Sequence, residues 1–83
     1  MARIIDGDKM KLIGKNERKY RRQRKMGQQT LSNKLETMAI YICRGSISRI
    51  EDMSRTVTDI ELYGLSKVLK VSIEELFEGM SEK

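Results

Sequence analysis

The sequence predicts an all-α fold, a compact bundle of five short helices. Apolar residues recur at spacings of three and four in several segments, and no segment alternates apolar and polar residues as a half-buried strand does. The chain has 83 residues and no proline. That length favours one small domain, with room for a modest core but not for an enclosed active site of any size.

A repeated start signal predicts four of the five helices. An apolar residue just outside each helix is followed five positions later by another, which is the spacing of a hydrophobic staple. Gly27 and Cys43 would be weak caps for two of these helices, whereas the last two starts also contain capping boxes, Thr58 with Glu61 and Ser72 with Glu75. The staple pairs are Met26 with Leu31, Ile42 with Ile47, Val57 with Leu62, and Val71 with Leu76.

The predicted helices cover residues 13–26, 28–38, 43–51, 59–70 and 73–78 of a domain that spans residues 13–78. Residues 1–12 have no sustained period and are expected to form an amino-terminal arm, and residues 79–83 a short tail. The first helix should be the most weakly docked. Ile13 and Tyr20 can face a core, but Glu17 falls where another apolar side chain is expected.

Charge is concentrated at the amino end of the chain. Lys and Arg number 17 against 12 Asp and Glu, for a net charge of +5. Residues 1–27 hold ten of the basic and three of the acidic side chains, so the rest of the chain is slightly acidic. A local basic segment favours a polyanionic partner, either a nucleic acid or an acidic membrane surface.

Composition argues against several classes of function. With one cysteine and no histidine, we expect a reduced protein without a disulfide or a metal site, and Cys43 reads as a small buried residue. No catalytic triad, phosphate loop or dinucleotide fingerprint is present, so we expect no enzyme activity and no cofactor. No apolar run is long enough to span a bilayer, and no signal-peptide core is present. We therefore expect a cytoplasmic protein with no membrane partner.

The segment from Cys43 to Glu51 reads CRGSISRIE and predicts a helix with two different faces. Ile47 and Ile50 would be buried, and the opposite face would be short, cationic and polar. A guanidinium presents a planar fork of donors that matches the O6 and N7 acceptors of guanine in the major groove. The alternative is that these arginines only solvate a surface helix.

Four segments together resemble the phage-repressor and Cro type of helix-turn-helix DNA-binding protein. They are QQTLSNKL at 28–35, RGSISRIE at 44–51, TVTDIEL at 56–62 and LKVSIEELF at 69–77. The resemblance implies a lambda-repressor-like fold in which the second and third helices form the reading unit and the third lies in the major groove. This chain departs from the family in three places: an enlarged turn at residues 36–42, Met53 where glycine often follows the reading helix, and Glu17 in the first helix.

The resemblance also implies roles for individual residues. Base reading falls to Arg44, Gly45, Ser46, Ser48 and Arg49. Phosphate binding falls to Gln28, Gln29 and Arg55. The basic run of residues 15–25 adds Arg21 and Arg24 as expected phosphate ligands, with the alternative that its charges only solvate the first helix. Tyr41, in the enlarged turn, is expected to be partly buried. The apolar stripe left after the core is filled suggests a dimer interface that includes Ile60, Tyr63, Phe77 and Met80.

The sequence therefore predicts a sequence-specific, double-stranded DNA-binding transcriptional regulator, a repressor that binds a palindromic operator as a homodimer. Such a protein would be prokaryotic or phage-encoded and associated with the nucleoid. One alternative is an RNA-binding protein that uses residues 15–25 as an arginine-rich helix. Another is a protein-interaction module, similar to an antitoxin, that keeps the fold without reading an operator.

Overall fold

The computed structural model describes the backbone of residues 7–78 and the side chains from residue 13 onward. It contains five helices within that range and no strand, so the predicted all-α bundle is confirmed. In order they are α1 Gly7–Gln23, α2 Gln28–Glu36, α3 Arg44–Glu51, α4 Asp59–Leu69 and α5 Ile73–Leu76.

The predicted boundaries differ most at the amino end. Helix α1 begins at Gly7, so the expectation of an irregular arm over residues 7–12 is wrong. That segment lacks an apolar period, but it is rich in good helix formers and continues a helix whose next turns are packed. At the other end, α1 stops three residues earlier than predicted, and α2 and α5 each end two residues earlier. Residues 1–6 and 79–83 lie outside the described residues.

One apolar core joins the five helices and the turns between them. Seven of the eight staple residues belong to this core, and Met26 packs against it. The two capping boxes form in both directions, at Thr58 with Glu61 and at Ser72 with Glu75. Gly27 and Cys43 make no side-chain cap bond. The sequence signals for helix starts are thus confirmed.

Each of the first four helices is followed by a non-glycine residue in the left-handed conformation. Met53, noted as a departure because glycine is common at this position in the family, follows α3 with φ of 66°. In each case the next amide donates to the carbonyl five residues earlier, which closes the last turn in a Schellman-type arrangement. The other three residues are Lys25, Ala39 and Lys70.

Helix α1 is firmly docked, and the prediction that it is the most weakly held helix is wrong. It packs against α3, α4 and α5. Gly14 permits a backbone-to-backbone approach, because a Cβ at this position would collide with the carbonyl oxygen of Ile50 in α3. Asn16 is buried, and its amide donates to the carbonyls of Leu76 and Glu78 at 2.9 Å each, which caps the end of α5. Polar contacts thus replace the apolar stripe that α1 lacks.

Candidate nucleic-acid interface

Helix α3 presents a polar face and buries an apolar one, as its sequence predicts. Ile47 and Ile50 are fully buried, whereas Arg44, Gly45 and Arg49 are exposed. Arg44 forms no ion pair within residues 13–78. The nearest atom to a Cβ built on Gly45 is the Cys43 sulfur, at 4.0 Å. No bulky side chain therefore covers the outer surface at the start of α3. The Arg44 guanidinium lies before Gly45, and the Arg49 guanidinium lies about one helical turn after it.

Two of the predicted base readers, Arg49 and Ser46, are hydrogen-bonded to each other on α3. Ser46 and Ser48 are both half-buried. The Cys43 thiol donates to Ser46 Oγ at 3.5 Å, and Arg49 Nη2 donates to the same oxygen at 3.3 Å. Cys43 is exposed, so the expectation that it is buried is wrong. The pKa of its thiol is lowered, first by the hydrogen bond with the Ser46 side chain and then by the Ser46 backbone amide.

A buried polar junction fixes α3 against the two preceding helices. Arg21 Nε and Nη2 donate to the two carboxylate oxygens of Glu51, at 2.8 and 3.0 Å, and Nη1 donates to the Met26 carbonyl at 2.8 Å. Gln28 Nε2, at the start of α2, donates to Glu51 Oε1 at 3.1 Å. The prediction that Arg21 binds phosphate is wrong, because its guanidinium is buried and its donors are used inside the fold.

Glu17 adds a second acid to this junction. It is fully buried, and neither of its carboxyl oxygens accepts a hydrogen bond from a described N–H or O–H group. Arg21 Nε is 3.7 Å away. Burial, reinforced by a hydrogen bond to the neighbouring Glu51, raises the pKa of Glu17 to about 9. At neutral pH Glu17 is therefore protonated, and its proton supplies the donor that the two facing carboxyl groups lack.

Glu51 responds in the opposite direction. Its burial alone would raise the pKa, but hydrogen bonds from Arg21, Glu17 and Gln28 outweigh that effect and lower it. The junction consequently holds one neutral acid and one carboxylate on a single buried guanidinium. Glu17 was noted in the sequence only as a departure from an apolar pattern, since its partner Glu51 lies on another helix.

Two other predicted phosphate ligands also use their donors within the fold. Arg24 Nε donates to the Leu69 carbonyl at 2.8 Å, and its Nη2 to that of Lys70 at 3.3 Å, so it caps the end of α4. Arg55 binds Glu61 with two hydrogen bonds of 2.9 and 2.8 Å. Arg24 is nevertheless exposed and Arg55 is half-buried, so phosphate binding by these two residues stays a prediction.

A different set of cations forms the exposed basic surface of α1. The basic stripe is defined as Lys15, Arg18 and Arg22 on α1 together with Lys25 in the turn that follows. All four are exposed, and the three on α1 follow one another at spacings of three and four. Arg18 Nε lies 3.6 Å from Glu51 Oε1, so the stripe borders the last turn of α3. Helical periodicity separates these residues from Arg21 and Arg24, and that signal was available in the sequence.

A hydrogen bond from α2 holds the enlarged turn between α2 and α3. Ser32 Oγ donates to the Ile42 carbonyl at 2.7 Å, and Ile42 is buried. Tyr41 is 75% exposed, so the expectation of a partly buried tyrosine is wrong. Beside the turn lies an open groove of about 350 Å³, lined by Ser32, Glu36, Tyr41, Ile42, Cys43 and Ser46.

The predicted dimer residues fall into two groups. Ile60 and Tyr63, on α4, are 57% and 47% exposed. Phe77 packs against the core and is half-buried, and Met80 lies outside the described residues.

No known family model, no curated protein and no solved structure matches this chain. Within residues 7–78, no three acidic, histidine or cysteine side chains are grouped closely enough to hold a metal ion. None of the described helices combines the length and apolarity needed to cross a bilayer.

Proposed function

We propose that this protein is a double-stranded DNA-binding transcriptional regulator that inserts α3 into the major groove. The observation that carries the proposal is the outer face of α3, where exposed Arg44 and Arg49 stand on either side of unobstructed Gly45. Arg44 lies at the amino end of the helix, the part that approaches base edges in helix-turn-helix docking, and its donor fork suits guanine.

The rigidity of α3 supports the same proposal. A reading helix discriminates between bases only if its side chains are held in a fixed register with the groove. Here Glu51 joins α3 to α1 through Arg21 and to α2 through Gln28, by hydrogen bonds of 2.8 to 3.1 Å. The buried junction thus fixes the end of α3 opposite to Arg44.

Phosphate contacts are assigned to the basic stripe and to the start of α2. Arg18 places the basic stripe beside the last turn of α3. A duplex that takes α3 into its major groove would therefore bring a phosphate strand near the basic stripe. Helix α2 has no side-chain cap at Gly27, and its first backbone amides together with the positive helix end suit a phosphate oxygen. Gln29, exposed at that end and bonded to Asn33 at 3.0 Å, is a second amide donor there.

We assign this regulator the role of a repressor that acts as a homodimer on a palindromic operator. A module of this size buries too little DNA surface to reach operator affinity alone, and two-fold symmetry doubles the contact. Occupation of an operator requires no cofactor. The proposed place of action is the cytoplasmic nucleoid of a prokaryote or phage host.

The basic run on α1 does not favour the RNA-binding alternative. An arginine-rich RNA-binding helix presents its cations as a continuous surface, but in this helix Arg21 is buried and Arg24 caps α4. Of the other exposed cations on this helix, Lys15, Arg18 and Arg22 follow one another at spacings of three and four, and Lys19 is paired with Glu78 at 3.2 Å. No contact among the described residues favours the protein-interaction alternative over DNA reading.

The test is selection from a randomised duplex pool in the presence of structured competitor RNA, at a stated salt concentration. We expect enrichment of one palindromic sequence. On that sequence Arg44→Ala should weaken binding by about 1–3 kcal/mol and relax the choice of base at one position per half-site. Lys34→Ala, on an exposed position of α2, is the matched control and should leave the preference unchanged.

Two results would overturn the proposal. If no duplex sequence is enriched while the RNA competitor is retained, the protein is an RNA-binding module. If Arg44→Ala weakens cognate and random DNA equally, Arg44 contacts a phosphate and α3 does not read bases through it.

A further inference from the structure

The outward face of α4 is an exposed stripe opposite to its buried side. Leu62, Leu65 and Leu69 point into the core. On the other side, Asp59, Ile60, Tyr63 and Lys67 are all exposed and recur at helical spacing. Two of these four are large apolar side chains that no other described element covers. An apolar centre with a polar rim on the outer face of a helix is the pattern of an interaction surface.

The order of charges along this stripe is complementary to itself. Asp59 and Lys67 lie at equal distances in sequence on either side of Tyr63. If a second α4 packs antiparallel across a two-fold axis at Tyr63, Asp59 of each copy meets Lys67 of the other. The same arrangement places the two helix dipoles antiparallel, which is favourable.

The aromatic centre of the stripe fits the same geometry. Lys67 Nζ lies 5.4 Å from the centroid of the Tyr63 ring in the same chain, so this lysine already folds over the middle of the stripe. Two tyrosines facing each other across the axis would stack there, flanked by Ile60 from both copies. An unrelated acidic or basic partner would match only one end of the stripe, whereas a second copy matches both.

We propose that α4 is a homodimer interface, in which two copies pack antiparallel about Tyr63 with Asp59 and Lys67 paired across the axis. A contact limited to one 11-residue helix buries less than the ~1,200 Å² of a stable interface, so the free dimer is weak and forms at high protein concentration. The pairing deepens the proposed dimeric regulator by naming its interface. Its test uses no DNA, so it can fail while the proposed DNA binding stands.

The experiment exchanges the charges at positions 59 and 67. Sedimentation equilibrium at protein concentrations up to about 1 mM measures dimerisation of each variant, and circular dichroism checks that each variant is folded. Asp59→Lys and Lys67→Asp should each weaken the dimer by tenfold or more, because each places like charges opposite each other twice. The double variant restores both pairs and should recover dimerisation to within about threefold of the unaltered protein. Lys34→Asp, on α2, makes the same change of charge as Lys67→Asp outside the stripe and should leave the dimer intact.

A second readout tests the axis directly. In a Cys43→Ser background, Tyr63→Cys should form an intermolecular disulfide under mild oxidation, because the two introduced thiols meet at the axis. Lys34→Cys in the same background should remain reduced. A protein that is monomeric over the whole concentration range, or single charge variants that dimerise as well as the unaltered chain, would overturn the assignment and leave the stripe to a different partner.

Discussion

Arg21 and Glu51 are joined by two buried hydrogen bonds of 2.8 and 3.0 Å, which connect the last turn of α1 to the last residue of α3. Removing one partner of such a pair typically costs about 3–5 kcal/mol, because the other charge is left buried without compensation. The pair therefore constrains where α3 sits. The neighbouring Glu17 makes the same junction sensitive to pH.

The first prediction is that stability falls as the pH rises above neutrality. The folded-state pKa of Glu17 is about 9 against an ordinary value of 4.5. Between these values the unfolded chain has lost the proton and the folded chain retains it. The free energy of unfolding should then decrease by up to about 1.4 kcal/mol per pH unit in this window, with the full contribution present only below pH 4.5. Urea unfolding at pH 6, 7, 8 and 9 measures the slope.

Glu17→Gln removes the titrating group but keeps a donor toward Glu51. We expect the slope above pH 6 to flatten and the variant to be more stable than the unaltered protein at pH 8. Glu36→Gln, at an exposed carboxylate of α2, is the control and should retain the slope. An unchanged slope in Glu17→Gln would mean that Glu17 is ionised in the folded protein.

The second prediction concerns the close approach of α1 and α3. Gly14→Ala places a Cβ against the Ile50 carbonyl oxygen, which is backbone and cannot rotate away. The helices must separate, and we expect a loss of about 1–3 kcal/mol in the free energy of unfolding, against the gain that alanine normally brings in a helix. Gly64→Ala is the comparison. It meets the side-chain methyls of Ile40 and Leu35, which can adjust, so its loss should be smaller. Equal losses at the two sites would contradict this account.

The elements predictable from the sequence are those set by neighbours in the chain. A capping box needs only Thr58 and Glu61, three positions apart, and both such starts form. The stripe of Ile47 and Ile50 likewise specifies which face of α3 is buried. These signals are local because a helix start and a helical face are defined within one or two turns.

The features that could not be predicted depend on distant partners. Arg21 and Arg22 are adjacent in an almost uniform basic run, yet one is buried and the other exposed. What separates them is Glu51, 30 residues away. Arg24 is exposed, but its acceptors are also distant in the chain, at the end of α4. Helical periodicity can therefore indicate which members of a charge run face the core, but not which acceptors they bind.

The third prediction separates folding from DNA recognition at Gly45. Gly45→Ala adds a methyl group with no close neighbour and improves helix propensity, so stability should rise by up to about 1 kcal/mol. On the proposed docking, the same methyl group stands between α3 and the groove floor and should weaken binding to the selected duplex. Ser54→Ala, an exposed position beyond the end of α3, is the control. A variant that is more stable and binds the duplex equally well would place the close contact elsewhere on α3.

The last prediction concerns the basic stripe and separates positioning from reading. Of its four members, Lys15 and Arg22 form no ion pair within the described side chains, so changing them breaks no internal contact of that kind. Each cation that neutralises a phosphate releases a counterion and adds about −0.9 to the slope of log affinity against log salt. Replacing both residues by glutamine should therefore flatten the slope by about two units. Binding to all duplex sequences should weaken alike, with the preferred sequence unchanged.

The matched control for that pair is Lys34→Gln with Lys70→Gln, which removes the same charge from two exposed residues on α2 and after α4. Net charge falls equally in the two double variants, so a general electrostatic effect would change both slopes alike. Direct contact between the basic stripe and phosphates would change only the slope of the Lys15 and Arg22 variant. If the Lys15 and Arg22 variant retains the full slope, the stripe faces away from DNA and only solvates α1. If it changes which sequence is selected, the stripe takes part in base reading and α3 is not the reading helix.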